Sequence, residues 1–317
     1  MKALVMEKSL RLTELERPAL QEGEALVRVL RAGICNTDME IVRGYMGFEG
    51  VLGHEFVGVV EQCQDTRWLN KRVVAEINVG CGKCRYCQRG LSRHCPNRTV
   101  VGIQGRSGVF AEYVALPTAN LIEVPSTISD LEAVWVEPLA ASAEILAQVH
   151  IQPEDRVAII GDGKLAALVA QVLRLIGCAL IVVGKHQPKL ATLSQLGIPT
   201  TLRNNLPKRS YSLVVEASGS PSGLDLALQL VEPRGTVVVK STYAERPTMD
   251  LSHIVVDEIT LVGSRCGPFD TAIRLLRQKL VQVEPLVTQT FPFSQALEAF
   301  TFAQQDHVLK VQLDMSG

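Results

Sequence analysis

The chain lacks a surplus of charge of either sign. Lysine and arginine total 32, aspartate and glutamate 33, and the formal net charge is -1. Without a basic tail or stripe there is no electrostatic footprint for nucleic acid, and no whole-chain field to steer an acidic ligand. Long apolar runs are missing too. The greasiest stretch, residues 157–183, is interrupted by Asp162, Lys164 and Arg174, so nothing reads as a membrane span. The first residues, MKALVMEKSLRL, lack the apolar core and cleavage pattern of a secretion signal and read as a strand broken by charge. A cytoplasmic protein without nucleic-acid or membrane partners is expected. What remains is 317 residues, 47% of them hydrophobic, enough for a large core divided between two domains.

Cysteine is what the chain does have, 8 residues in all. Their clustering favours thiolate ligands in a reducing compartment over disulfides. Cys63, Cys178 and Cys266 have no motif around them and are expected as small buried apolar side chains. Cys81, Cys84, Cys87 and Cys95 instead present four soft donors in one short loop, with Gly80, Gly82 and Gly90 to let it fold. Four thiolates in a tetrahedron suit zinc, and a filled shell leaves no place for substrate, so this site reads as structural. An iron–sulfur centre and a redox thiol cluster are the rivals. Cys35, in AGICNTD, and His54-Glu55, in GHE, offer thiolate, imidazole and carboxylate. That mixed set suits an open, catalytic zinc. Taken alone, Gly-His-Glu is more often a local cap or a salt bridge, and spacing by itself does not bring the two loops together.

The first third alternates short strands with glycine turns, at residues 2–6, 24–31, 55–62, 72–76 and 110–116, and helical periodicity is nearly absent. The pattern changes after Pro125. Residues 129–149 read as helical. Strands at 156–160, 179–183, 213–216, 236–239 and 259–262 then alternate with helices at 164–176, 188–196 and 222–230. Apolar strands alternating with helices predict an α/β domain with a doubly wound parallel sheet. The tail from Gly267 adds helices at 270–279 and 294–304 and a strand at 308–313, and pattern alone does not say which domain it joins.

Residues 157–166 read VAIIGDGKLA, in the order strand, glycine turn, helix. Gly161 permits the tight turn, Gly163 lets the backbone approach a pyrophosphate, and the amides of Lys164 and Leu165 open the helix toward phosphate oxygens. Ala166 stands where a third glycine is common. With these flanks a dinucleotide site is expected, against the alternative of an ordinary strand-to-helix turn. An NAD site normally carries an acid at the end of the second strand. This chain has Gly184-Lys185-His186 there. Lys185, helped by His186 or Lys189, would pair with a 2′-phosphate, so NADP is favoured over NAD. The competing reading is a solvated Lys185 and less selective NAD binding. Ala217-Ser218-Gly219 follows a strand where the carboxyl-end loops of an open sheet meet a ligand, or is a simple strand exit.

On GICNTD, GHE, the four-cysteine lobe, Glu137-Pro138-Leu139-Ala140 and GDGKLA, the chain resembles the medium-chain, zinc-containing alcohol dehydrogenase family, over nearly its whole length. The sorbitol and threonine dehydrogenase branch is the nearer likeness. The resemblance implies a GroES-like catalytic domain at 1–128 with a zinc lobe at 80–96, a Rossmann domain at 129–266, and a segment at 267–317 that completes the first. It implies that Cys35 and His54 hold a catalytic zinc, that Glu55 is the acid beside them, able to enter or leave the coordination shell, and that Glu137 occupies the third ligand position, directly or through water. Glutamate there, where simple alcohol dehydrogenases have cysteine, argues for a polyol-type or other secondary alcohol. It implies that Thr37 relays the substrate proton and that Asp38 orients the metal-site histidine. A homodimer or homotetramer is expected. Tyr45, Met46 and Phe48 are candidates for lining a substrate cleft between Cys35 and His54, whereas Trp135 is expected in the core. The expected reaction is reversible oxidation of an alcohol, with one catalytic and one structural zinc and with NADP or NAD. Its rivals are a zinc-free quinone or enoyl reductase, and a non-enzymatic redox sensor, on the same scaffold.

Overall fold

A computed structural model describes residues 1–203, 206–243 and 247–316. The chain forms two compact units, one made of Met1–Glu137 together with the segment from Val287 onward, the other of Pro138–Leu286. No helix among the described residues is long and apolar enough to cross a membrane.

The first unit is built on a seven-stranded sheet. Its path runs Leu121–Glu123, Arg72–Ala75, Glu55–Cys63, Glu24–Gly33, Lys310–Asp314, Val287–Pro292, and Tyr113–Pro117 also pairs with Glu24–Gly33. The long central strand buries Ala25, Val27 and Ala32 completely. Its last residues pair with Glu55 and Phe56 on one side and with Gln312 and Leu313 on the other. That register brings the tail of the chain against the Cys35 and His54 loops. The cysteine lobe is a separate excursion, supported by a small sheet of Asn78–Val79, Thr99–Val101 and Gly105–Arg106.

The second unit carries six parallel strands in the order Thr200–Leu202, Ala179–Gly184, Arg156–Ile160, Tyr211–Glu216, Val231–Val239, Thr260–Gly263. The strand order reverses between Arg156–Ile160 and Tyr211–Glu216, the place where open α/β sheets bind ligands. Val157, Ala158, Ile159, Val214, Val215 and Val237 have no exposed surface. The helix Lys164–Arg174 buries every residue from Ala166 to Leu173.

The units divide later than the expected cuts at 128 and 266. Residues 129–149 are not one helix but three short ones, Asp130–Ala133, Val136–Ala143 and Ile145–Gln148. The first begins with a capping box, Ser129 accepting from the Glu132 amide while Glu132 accepts from that of Ser129. It is held to the first unit by Arg72, 2.9 Å from Asp130, and by Gln312, which donates to the Leu131 carbonyl at 2.9 Å. At the other end, Gln171 and the backbone of Gln282 exchange two hydrogen bonds of 2.7 and 3.0 Å. These keep the helix Phe269–Arg277 and the residues after it with the parallel sheet.

Candidate metal and dinucleotide sites

Cys35 is the N-cap of the helix Asn36–Val42, and its amide donates to Asp38 at 2.8 Å. The other Asp38 oxygen lies 3.2 Å from His54 Nδ1, with Asp38 fully buried and His54 nearly so. One carboxylate thus ties both loops. Donor atoms of Cys35, His54 and Glu55 all lie within 4.8 Å of one another. Burial opposes a charged His54 ring, yet the charge and close contact of Asp38, helped by Cys35, outweigh it and raise His54 well above its usual value. The surroundings therefore favour positive charge at this point. Glu55 Oε1 is buried without a hydrogen-bond donor, again the condition of a ligand. The donor set fits zinc. The Thr37 hydroxyl stands 3.9 Å from the Cys35 sulfur. Glu137, half-buried in the first turn of Val136–Ala143, is outside the 4.8 Å group.

Lys310 is the residue that motif reading missed. It is fully buried, ion-paired to Glu55, and its ammonium lies 5.2 Å from the centroid of the Trp135 ring. Burial pushes it down to about 8, against the pull of Cys35 and Asp38. The signal was a lysine inside the apolar run Val308-Leu309-Lys310-Val311. Trp135 itself is fully buried, as expected. Met46 and Phe48 line a cleft of about 370 Å³, but with Glu49 and residues 103–107; Tyr45, Cys35 and His54 are not on its wall.

In the lobe all four sulfurs lie within 4.8 Å, with Cys84 3.6 Å from Cys87 and 3.7 Å from Cys95. Sulfurs held tetrahedrally at about 2.3 Å from zinc are about 3.8 Å apart, so the spacing fits. Amides of Lys83 and Cys84 pull Cys81 down to about 6, and the Cys87 amide lowers Cys84. Burial and the neighbouring sulfurs push Cys87 up to about 11. Four thiolates this close need a cation between them. Of the three cysteines without a motif, Cys178 is buried; Cys63 and Cys266 are only half-buried, because Cys63 ends its strand and Cys266 sits in a loop.

In the parallel-sheet unit Gly161 has φ of +121°, and a side chain there would meet the Ala217 carbonyl at 2.6 Å. The glycine turn is thus pressed against the exit of Tyr211–Glu216, and the Ala217 amide donates to Ile160 at 2.8 Å. The helix Lys164–Arg174 starts at Gly163 without a side-chain cap, and a side chain on Gly163 would meet nothing within 4 Å. The cradle fits a phosphate on the first-turn amides, those of Lys164 and Leu165 included. The Ser218 hydroxyl donates to the buried Glu216 at 2.6 Å, and the Gly219 amide to Ser241 at 2.8 Å. At the neighbouring strand end, Asp162 accepts from the amides of Lys185 and His186, both at 2.7 Å, and lies 3.0 Å from His186 Nδ1. Lys185 is exposed, and Gly184 is buried against Asp162.

A dinucleotide cradle and a Cys–His–Glu cluster in one chain belong to oxidoreductases that pair a nicotinamide with a metal centre. Residues 21–126 match the alcohol dehydrogenase GroES-like domain, and residues 165–279 match the zinc-binding dehydrogenase family. L-threonine 3-dehydrogenase of Streptomyces avermitilis is 30% identical over 99% of both chains. Sorbitol dehydrogenase of Halalkalibacterium halodurans is 27% identical over 95% of this chain and 94% of its own. The rspB alcohol dehydrogenase of Escherichia coli CFT073, complexed with NADH, superposes with a TM-score of 0.92 at 28% identity, covering 99% of each chain. The chain belongs to the zinc-containing medium-chain alcohol dehydrogenase family. It is an oxidoreductase for a small alcohol or carbonyl compound, with a nicotinamide cofactor.

Proposed function

We propose that the chain is a zinc-dependent dehydrogenase that interconverts a secondary or polyol-type alcohol and its ketone or aldehyde. The observation that carries this reading is the convergence of Cys35, His54 and Glu55 within 4.8 Å, with Asp38 bridging the first two. Bound there, zinc would supply Lewis acidity to an alcohol or carbonyl oxygen, and a nicotinamide would supply the hydride chemistry. Cys35, His54 and Glu55 hold the ion. Asp38 fixes the imidazole, so that the face of His54 away from Nδ1 serves the metal. Thr37 takes the substrate proton at its Oγ1 and passes it outward. Glu137, outside the donor group, acts as a ligand through water. Glutamate at 137 in place of cysteine, and the likeness to sorbitol and threonine dehydrogenases, support a polyol-type or other secondary alcohol over ethanol.

Cys81, Cys84, Cys87 and Cys95 hold a second, structural zinc, which calls for a reducing compartment such as the cytoplasm. Apolar Leu251, Val255 and Val256, 64–78% exposed, support self-association as a dimer or tetramer. For the dinucleotide, the lack of an acid in Gly184-Lys185-His186 supports NADP, whereas the Asp162 carboxylate at the same strand end supports NAD. Cys35→Ser tests the division of labour. It should reduce zinc from two ions per chain to one and abolish turnover in an alcohol screen, leaving NADH affinity largely intact. Full turnover with zinc in the cysteine lobe alone would refute the reading.

A further inference from the structure

Asp162 sits at the second position of the glycine turn, where side-chain chemistry is not needed for the turn itself. Its strand, Arg156–Ile160, runs beside Ala179–Gly184 with Ile160 opposite Val183, so the two strand ends open at the same level. Asp162 leans across that gap. Its Oδ2 accepts from the amides of Lys185 and His186, and its Oδ1 lies 3.0 Å from His186 Nδ1. The Asp162 side chain is 9% exposed. Burial raises its pKa, and the hydrogen bonds from His186 and Lys185 lower it further than that, so the group is an anion. Gly184 makes room for it: a side chain at 184 would lie 2.6 Å from Asp162 Cβ and Oδ2. Loss of a side chain at the end of one strand and an acid at the end of its neighbour are therefore one steric arrangement.

A 2′-phosphate at this strand end needs backbone and side-chain donors and local positive charge. Here the two amides and the imidazole are already directed at Asp162, and the charge they enclose is negative. We propose that Asp162 is the specificity-determining residue of the dinucleotide site: it fills the anion nest after Ala179–Gly184 and so selects NAD over NADP. The exposed Lys185 does not reverse this, because it faces solvent, where its charge is screened. The inference rests on the dinucleotide reading above and deepens it.

The test is equilibrium binding to the full chain, with NADH and NADPH followed by fluorescence, and ADP-ribose and its 2′-phosphorylated form by calorimetry. NADH and ADP-ribose should bind about tenfold tighter or more than their phosphorylated partners, as expected for like charges a few ångströms apart. Asp162→Asn keeps an oxygen for the two amides but removes the charge. It should narrow the NADH preference about tenfold, chiefly by tightening NADPH. Equal or tighter NADPH binding by the unaltered chain would overturn the inference alone. So would an Asp162→Asn variant that weakens both dinucleotides equally, or a Lys185→Ala variant that loses affinity only for NADPH. Failure of all four probes to bind would overturn the dinucleotide reading, and the inference with it. The fragment comparison on the unaltered chain can overturn the inference even where the variant folds poorly.

Discussion

Replacing Lys310 with methionine should change stability in a way that depends on the metal. Lys310 and Glu55 are both completely shielded from solvent, so their ion pair gains nothing from screening and loses nothing to it. Removing one partner of a buried pair and leaving the other charged costs about 3–5 kcal/mol. That is the loss expected where the catalytic metal is absent, as in a Cys35→Ser background, because Glu55 Oε1 has no donor to fall back on. With zinc at Cys35, His54 and Glu55 the carboxylate keeps a cationic partner. The variant is then also relieved of burying an ammonium. The drop of Lys310 to about 8 corresponds to about 3 kcal/mol against the charged form. In the zinc-loaded protein Lys310→Met should therefore be within about 1 kcal/mol of neutral, or stabilising. The assay is a double-mutant cycle in urea. Both tryptophans, Trp68 and Trp135, belong to the unit that contains the site, so their fluorescence reports its unfolding directly. A coupling of about 3–5 kcal/mol between the two substitutions is expected, the difference between those two losses. Equal destabilisation by Lys310→Met in both backgrounds would refute the idea that metal and lysine share Glu55.

Two further outcomes follow from the same structure. Cys84→Ser breaks the sulfur contacts to Cys87 and Cys95; metal analysis should show one zinc lost per chain together with a lowered thermal midpoint, and a variant that keeps both ions would contradict the tetrahedral assignment. Ser129→Ala removes the cap of Asp130–Ala133 and should cost about 1 kcal/mol in urea unfolding; no loss would mean that tertiary contacts alone hold that helix.

Much of the parallel-sheet unit was legible because its signals are local. Arg156–Ile160, Lys164–Arg174, Ala179–Gly184 and Tyr211–Glu216 lie within a few residues of the positions expected from apolar runs and glycine punctuation. Strands with weak patterns escaped notice: Thr200–Leu202 is a short edge strand, and Val287–Pro292 exposes four of its six residues. Residues 129–149 are helical as their alanines and leucines suggest, but the helix is interrupted at Val134–Trp135 and at Glu144. The clustering of the lobe's sulfurs was readable because its four cysteines lie close along the chain, where spacing approximates geometry.

By itself the amino-acid order determined which segments become strands and helices, where the glycine turn falls, and which thiolates can share an ion, since each depends on neighbours a few residues apart. Only the tertiary structure decided that Asp38 would join the Cys35 and His54 loops, that Lys310 from the last strand would meet Glu55, and that Asp162 would occupy the space left by Gly184. Those partners are brought together by strand register and burial, and burial fixes both their charges and what those charges can bind.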